Sequence, residues 1–297
     1  MSVDLLVIPT LTNHPKKFSH VQPMSDQAAR AEAGRLLQLG LSVHIERALT
    51  LLYSAGVLPA YRLPVDERTL RKYHHLRLLD RLPYLSREIQ EAYQSYDLPV
   101  PSGSLLLYTL GPVGREIVKE RFGHPAPGGY LNMLLTRLMH DLAVNEIVFR
   151  LADLAKDTTA FRWMSKYEAT LWKDGQPILE PDALFLVQRG DVQEAYLLEY
   201  HNEQDRRSRA EDKILQYQKA LQSNLWGQQW EVETFPPVLV VYRDASVAKG
   251  YHENLKAYPS PVRFYGASLQ RVFGEAWREW FDLQHHQIGQ KTAVFAW

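Results

Sequence analysis

The chain contains no cysteine among its 297 residues. That absence excludes disulfides, thiolate zinc sites and cysteine nucleophiles, but it leaves open a metal held by oxygen and imidazole ligands. Long hydrophobic runs are also missing, since stretches such as Val238-Leu239-Val240-Val241-Tyr242 are far too short to span a bilayer. The start Met1-Ser2-Val3-Asp4 lacks the charged-then-apolar pattern of an export signal. We therefore expect a cytoplasmic protein with no membrane partner.

Net charge is absent as well, because 34 Lys and Arg balance 34 Asp and Glu. The charges are nevertheless unevenly distributed: residues 1–127 contain 15 basic and 12 acidic side chains, and residues 62–87 alone contain seven basic and three acidic ones. Lys and Arg displace condensed counterions from nucleic acid, so this basic segment indicates a phosphate-contacting surface. A solvated helix face explains the same charges equally well.

The length and a hydrophobic content of 45% allow a sizeable core and two domains. Turn-forming residues cluster at 123–129, between two helical patterns, and predict a boundary there. We therefore divide the chain into a domain at 1–127 and a domain at 128–297.

The first domain shows a helical pattern at 28–39, 43–54 and 67–79, a strand at 105–110 and a helix at 113–121. Gly56 is placed to end the second helix. This order suits a winged helix-turn-helix, in which residues 107–116 would run from the wing into the last helix. A helix within 68–81 would then enter the major groove of duplex DNA. Its expected DNA-binding residues are Arg68, Arg71, Lys72, His75, Arg77 and Arg81. The alternative is that this helix only packs the domain.

The second domain has the alternating elements of an α/β fold with a mixed sheet. The predicted helices lie at 130–155, 209–222, 246–257 and 269–283, and the predicted strands at 161–171, 179–188, 194–201, 238–242 and 262–265.

Two acidic residues stand at the edges of neighbouring strand-like runs in this domain. Asp182 precedes Ala183-Leu184-Phe185-Leu186-Val187, and Glu199 follows Ala195-Tyr196-Leu197-Leu198. Adjacent strands would bring the two carboxylates together as a site for a hard divalent cation, and we expect Mg or Mn. Less specific explanations are a turn at Pro181-Asp182 and a surface pair formed by Glu199 and His201.

The order of a helix with Glu146, a strand with Pro181-Asp182 and a strand with Glu199 resembles the PD-(D/E)xK nuclease superfamily. The whole architecture, from about residue 47 to about residue 241, is similar to the replication-relaxation family of plasmid and mobile-element proteins. The residues that match that family are His140, Pro181-Asp182, Glu199, Lys213 and Tyr217.

The resemblance implies a catalytic set made of Asp182, Glu199, His201, Lys213 and Glu146, with Asp182 and Glu199 as metal ligands and Glu146 as an outer-sphere contact. His201 stands where the superfamily has a lysine, and a mostly neutral, shorter histidine substitutes poorly for that permanent charge. Lys213 on the following helix is a second source of positive charge.

Two classes of function follow. One is a protein that binds double-stranded DNA and nicks or cleaves it with a metal, and the other is a non-catalytic DNA-binding regulator or plasmid-replication factor whose nuclease-like domain mediates assembly. A homodimer is compatible with either class. A third alternative is a partner-binding module, indicated by Trp277, Trp280, Phe281 and the tail at 294–297.

Overall fold

The computed structural model describes residues 23–155, 160–202, 207–284 and 291–295. The first half contains α1 (Asp26–Leu39), α2 (Val43–Ala55), β1 (Val57–Pro59), α3 (Glu67–His75), β2 (Leu79–Arg81), α4 (Ser86–Ser95), β3 (Leu107–Leu110) and α5 (Pro112–Phe122). The second half contains α6 (Leu135–Leu154), β4 (Ala160–Trp163), α7 (Lys166–Ala169), β5 (Leu171–Lys173), β6 (Gln176–Leu179), β7 (Ala183–Arg189), β8 (Val192–His201), α8 (Arg207–Ser223), α9 (Trp226–Trp230), β9 (Val238–Tyr242), α10 (Ala245–Ala257), β10 (Phe264–Ser268), α11 (Leu269–Phe273), β11 (Glu279–Asp282) and β12 (Lys291–Ala293). The predicted α/β class is confirmed.

The first half has helices and a three-stranded sheet arranged as in a winged helix, with α4 inserted between β2 and β3. Its three strands form an antiparallel sheet in the order β1-β3-β2. Local sequence signals delimit the helices: Asp66 caps α3 by accepting the Thr69 amide at 2.7 Å, and Gly56 ends α2 with a positive φ of 73°. The segment that precedes α3 in a helix-turn-helix is reduced to a single 3-10 turn, Ala60–Arg62.

The connection between β2 and β3, where a wing would extend, contains α4. Ile89 and Tyr93 of α4 are buried in a core that also includes Leu138 and Leu142 of α6. The wing is therefore replaced by a helix that packs against the second half. Because the two halves share this core, separate folding of 1–127 and 128–297 stays a prediction.

A seven-stranded mixed sheet organises the second half, in the order β12-β11-β10-β9-β8-β7-β4. β8, β9 and β10 run parallel, and the other pairs are antiparallel. Side chains along β7 alternate between two cores: Phe185 packs on the side of α6, and Leu184 on the side of α8 and α10. Burial of both faces explains why β7 reads as a continuous apolar run. None of the helices within the described ranges has the length and apolarity needed to cross a bilayer.

Two predicted elements are wrong. The strand expected at 161–171 ends at Trp163, because Ser165 and Glu168 form a capping box that starts α7. The helix expected at 269–283 ends at Phe273 before Gly274, and residues 279–282 form β11, which pairs with β10.

The aromatic residues at the C-terminal end close the sheet. Trp280 is fully buried, and the rings of Trp277 and Phe295 lie 6.1 Å apart. Because Trp280 is buried, it is not available for the protein-binding surface considered above as the third alternative. Ala296 and Trp297, which were part of that expectation, lie outside the described residues.

Candidate active site at the ends of β7 and β8

Asp182 and Glu199 lie opposite each other across the antiparallel pair β7–β8. Ala183 pairs with Leu198, and the Asp182 amide continues the ladder by donating to the Leu198 carbonyl at 3.1 Å. One further step in this register sets Asp182 against Glu199 at the ends of the two strands, where Asp182 contacts α6 and Glu199 contacts α8. The structure therefore brings the two predicted carboxylates to one edge of the sheet.

Glu199 is buried, with only 2% of its side chain exposed, and two residues of α8 satisfy its carboxylate. Lys213 Nζ lies 2.9 Å from Oε1 and 2.8 Å from Oε2, and the Tyr217 hydroxyl donates to Oε1 at 2.7 Å. Residues four apart on a helix share one face, which explains why Lys213 and Tyr217 reach the same group.

Asp182 contacts α6 and the backbone of β8. Its Oδ2 accepts the Tyr200 amide at 2.7 Å and lies 3.5 Å from Nε2 of His140. The same imidazole nitrogen lies 3.3 Å from the Tyr200 carbonyl, and Nδ1 lies 3.5 Å from Asp141. About a fifth of the Asp182 side chain remains exposed, so this carboxylate is the accessible member of the pair.

The electrostatics of the site separate the two acids. Burial lowers the pKa of His140, but hydrogen bonds and charge from Asp141 and Asp182 outweigh it and raise the pKa to about 10. Burial also raises the pKa of Asp182, yet the interactions with His140 and Lys213 bring that pKa down to about 2. For Glu199, burial and the neighbouring Asp182 charge raise the pKa. Each acid thus has its own cation, His140 for Asp182 and Lys213 for Glu199.

His201 does not supply the positive charge that a lysine would give at this position. Its side chain is buried, its Nε2 lies 3.2 Å from the Tyr251 hydroxyl, and burial lowers the pKa of the imidazole to about 4. Lys213 is the cation at Glu199 instead. Burial lowers the pKa of Lys213, but the charges of Glu199 and Asp182 outweigh burial and raise that pKa above its usual value. The cation therefore comes from α8, the second of the two sources considered from the sequence.

Glu146 is placed away from the carboxylate pair. Its Oε2 pairs with Arg62 Nη2 at 2.5 Å, while its Oε1 accepts hydrogen bonds from the hydroxyls of Tyr61 and, at 3.2 Å, Tyr93. It lies six residues beyond His140 on α6, about 9 Å along the helix axis. This placement corrects the prediction of an outer-sphere contact, because the carboxylate is already occupied by these three partners.

The predicted DNA-binding residues divide into an exposed group and one partly buried exception. Arg68, Arg71, Lys72 and His75 are exposed on α3, and Arg81 is exposed on β2. Arg71, His75 and Arg81 also line a groove of about 240 Å³.

Arg77 is the exception. It follows α3 with a left-handed φ of 57°, and its Nε pairs at 3.0 Å with Asp80, whose side chain is only 5% exposed. This pairing corrects the assignment of Arg77 to DNA contact, because its guanidinium holds the turn between α3 and β2.

The carboxylate pair is the candidate site for Mg or Mn. Within the described ranges, no three His, Asp or Glu side chains are grouped as metal ligands. Mg ions are commonly held by one or two carboxylates and take their remaining ligands from water and substrate phosphate. Asp182 and Glu199 are carboxylates of this kind, but only Asp182 is exposed, since Lys213 binds both oxygens of the buried Glu199.

Two parts of this region were missed from the sequence. Tyr61, Arg62 and Tyr93 reach Glu146 from more than 50 residues away, and no local pattern signals those contacts. Asp141 adjoins His140 in the chain, and a carboxylate next to a candidate histidine was a usable signal. His140 and Asp182 also face a cavity of about 190 Å³ between the two halves.

Comparison with known proteins gives one match. The family model described as replication-relaxation matches residues 57–235, a range that contains the carboxylate pair, His140, Lys213 and Tyr217. Neither the curated proteins nor the solved structures yield a match.

Proposed function

Because the chain belongs to the replication-relaxation family, we propose that it is a plasmid- or mobile-element-type protein that binds duplex DNA and nicks it. The observation that carries this proposal is the opposition of Asp182 and Glu199 at the ends of β7 and β8, with Lys213 bound to Glu199. Paired carboxylates and an adjacent lysine are the residue types that metal-dependent phosphodiester hydrolysis requires.

Asp182 and Glu199 would hold a Mg or Mn ion. When bound, such an ion lowers the pKa of a coordinated water and offsets the charge that develops on the scissile phosphate. His140 orients Asp182 through its Nε2 and leaves the exposed side of that carboxylate free to face DNA. Lys213 keeps a positive charge beside Glu199 that would stabilise the negative phosphate.

Contact with DNA is assigned to α3. Arg68, Arg71 and Lys72 are exposed on this helix, and Arg81 follows on β2. Long basic side chains on an exposed helix suit phosphate contacts, which dominate affinity and make it salt-dependent. The missing wing means that α3 and its neighbouring strand carry the contact without a hairpin beside them.

The test is nicking of supercoiled plasmid in Mg or Mn by the wild type, Asp182→Asn and Glu180→Gln. Glu180 is a matched control because it is an exposed acid two residues earlier in the chain. We expect nicking by the wild type and by Glu180→Gln, and its loss in Asp182→Asn. Equal nicking by Asp182→Asn would show that the activity comes from another site or a contaminant.

A non-catalytic DNA-binding factor is the second candidate. It is favoured by the internal pairing of both acids, since His140 and Lys213 provide the positive charge that a metal would otherwise supply. Thermal unfolding with and without Mn separates the two candidates, because a ligand that binds only the folded state raises the unfolding temperature. DNA binding without any Mn-dependent shift would favour the non-catalytic factor.

A further inference from the structure

A buried ionic cluster joins the two halves of the molecule at the middle of α6. We call Glu146, Tyr61, Arg62 and Tyr93 the Glu146 cluster. Glu146 is 2% exposed at its side chain, and Arg62 pairs with it at 2.5 Å. The Arg62 guanidinium also lies 4.6 Å from the ring centre of Phe149, one turn further along α6. Arg62 is therefore held on two sides by one helix of the second half.

The position of the cluster connects the two proposed functional elements. Tyr61 and Arg62 belong to the 3-10 turn at Ala60–Arg62, five residues before α3 begins. Glu146 belongs to the same helix as His140, which contacts Asp182. The turn that precedes α3 and the histidine that contacts Asp182 are therefore both attached to α6.

We propose that Glu146 is a positioning residue that sets the distance between DNA contact by α3 and the cleaving edge at Asp182 and Glu199. The inference rests on the proposed function for its consequence in DNA cleavage. It concerns where a nick falls relative to the bound segment of DNA.

Directional contacts matter for this task because much of the packing against α6 is apolar. Val57, Ile89 and Leu107 pack against α6 in the shared core, and such contacts tolerate sliding and tilting. The ion pair and its two hydroxyl donors restrict the arrangement of the turn. Asn145, the neighbour of Glu146, fixes the preceding segment by donating to the carbonyls of Ala55 at 3.2 Å and Val57 at 2.7 Å. A second link, Arg243 to Asp97 at 2.7 Å, is weaker because half of the Asp97 side chain is exposed.

Because the chain contains no cysteine, the distance between α3 and the second half can be measured in the full chain with two introduced spin labels. Glu67→Cys on α3 and Lys256→Cys on α10 are exposed sites for a pair of spin labels with no background labelling. We expect one narrow distance distribution with Glu146 intact, and a broadened or shifted distribution after Glu146→Gln. The matched control is Glu279→Gln, which removes the partner of Arg271 in an ion pair within the second half that also stacks on an aromatic ring.

An unchanged distribution in Glu146→Gln would overturn the proposal. Should that variant fail to fold, Tyr61→Phe removes one hydrogen bond to Glu146 and leaves the ion pair in place. A broader distribution in Tyr61→Phe supports the proposal, and an unchanged one overturns it.

Mapping of nicks gives the functional readout. The substrate is a DNA fragment with one segment that the protein protects when bound. We expect the wild type to nick at a single distance from that segment, which we call the offset. Glu146→Gln should nick at varied distances while the total number of nicks is retained. A lower melting temperature with an unchanged offset would mean that Glu146 only stabilises the fold, and would overturn the proposal. If the wild type makes no nicks, the proposed function fails, whereas the distance measurement still decides the role of Glu146.

Discussion

Lys213 Nζ lies 2.8 Å from Oε2 of Glu199, although the two residues are 14 positions apart and belong to different elements. A lysine two residues after Glu199 would extend from the same strand as the acid. Here that strand position is the buried His201, and the cation reaches Glu199 from α8. The positive charge beside Glu199 therefore comes from a helix and not from the strand.

Lys213→Met is expected to destabilise the fold by about 3–5 kcal/mol, because it leaves the buried Glu199 without its cation. Lys249→Met is the matched control, since Lys249 lies 3.8 Å from Glu253 with 71% of its side chain exposed, and removal of such a surface pair costs about 0.5 kcal/mol or less. Urea unfolding measures both variants. If the unpaired Glu199 causes the loss of stability, the double variant Lys213→Met with Glu199→Gln should be more stable than Lys213→Met alone. Equal urea midpoints for Lys213→Met and Lys249→Met would contradict this explanation.

Periodicity and capping signals predicted the long elements well. The strand at 238–242 was placed at its observed limits, and Gly56 ends α2 as expected, because both depend on local sequence. Prediction was weaker at residues 269–283, which were predicted as one helix. The segment divides at Gly274 into the short helix α11 and the short strand β11. The pairing of β11 with β10 is a non-local contact that a helical period cannot reveal.

The neighbouring positions of Asp182 and Glu199 could be inferred from the sequence, whereas the contacts of Glu146 could not. The catalytic and metal-binding roles of these residues stay predictions. Asp182 and Glu199 meet because antiparallel pairing is set by the short connection between β7 and β8. Glu146 was assigned to the same site because the order of a helix with Glu146 and strands with Asp182 and Glu199 resembles the PD-(D/E)xK superfamily. Its true partners, Tyr61 and Arg62, are more than 80 residues away in the chain.

Arg71 and Arg77 are expected to respond in opposite ways to substitution by alanine. Arg71 is 74% exposed, so Arg71→Ala should change stability by about 0.5 kcal/mol or less and lower the salt slope of DNA binding by about one. Arg77→Ala should cost about 3–5 kcal/mol, because Asp80 is left buried without its partner, and should leave the salt slope unchanged.

Urea unfolding and mobility shifts across a salt series measure these two responses. Arg68→Ala serves as a second exposed variant on α3 and should behave like Arg71→Ala. A reduced salt slope in Arg77→Ala with unchanged stability would return Arg77 to the DNA-contacting set. An unchanged slope in both Arg68→Ala and Arg71→Ala would remove α3 from it.

Gly56→Ala should destabilise the protein more than Gly123→Ala does. Both glycines have a positive φ, 73° and 74°, so both alanines are strained. The cost is about 1–2 kcal/mol at the left-handed Gly123 and larger at Gly56, whose ψ of −48° lies outside the left-handed region. A methyl group at Gly123 meets open space, whereas one at Gly56 collides with the buried ring and hydroxyl of Tyr130. Overpacking adds about 1–3 kcal/mol at Gly56. Thermal unfolding compares the two variants, and equal losses would mean that Tyr130 moves aside freely.

His201 should make the fold sensitive to acid. The pKa of histidine in an unfolded chain is about 6.5. Burial lowers the pKa of His201 to about 4, so the folded state resists a proton that the unfolded state accepts. This contribution to stability is complete above pH 6.5 and is lost as the pH falls toward 4. By linkage the loss amounts to about 3 kcal/mol at most.

His201→Gln removes this titration and retains a hydrogen-bonding group toward the Tyr251 hydroxyl. The free energy of unfolding, measured by urea titration at several pH values, should therefore decline less between pH 6.5 and pH 4 in His201→Gln than in the wild type. Glu199 acts in the opposite direction, since its raised pKa adds stability as the pH falls, and comparison of the two proteins cancels that contribution. His75→Gln on the exposed face of α3 is the control and should follow the wild type. Parallel curves for wild type and His201→Gln would mean that the imidazole takes up its proton as readily in the folded chain as in the unfolded one.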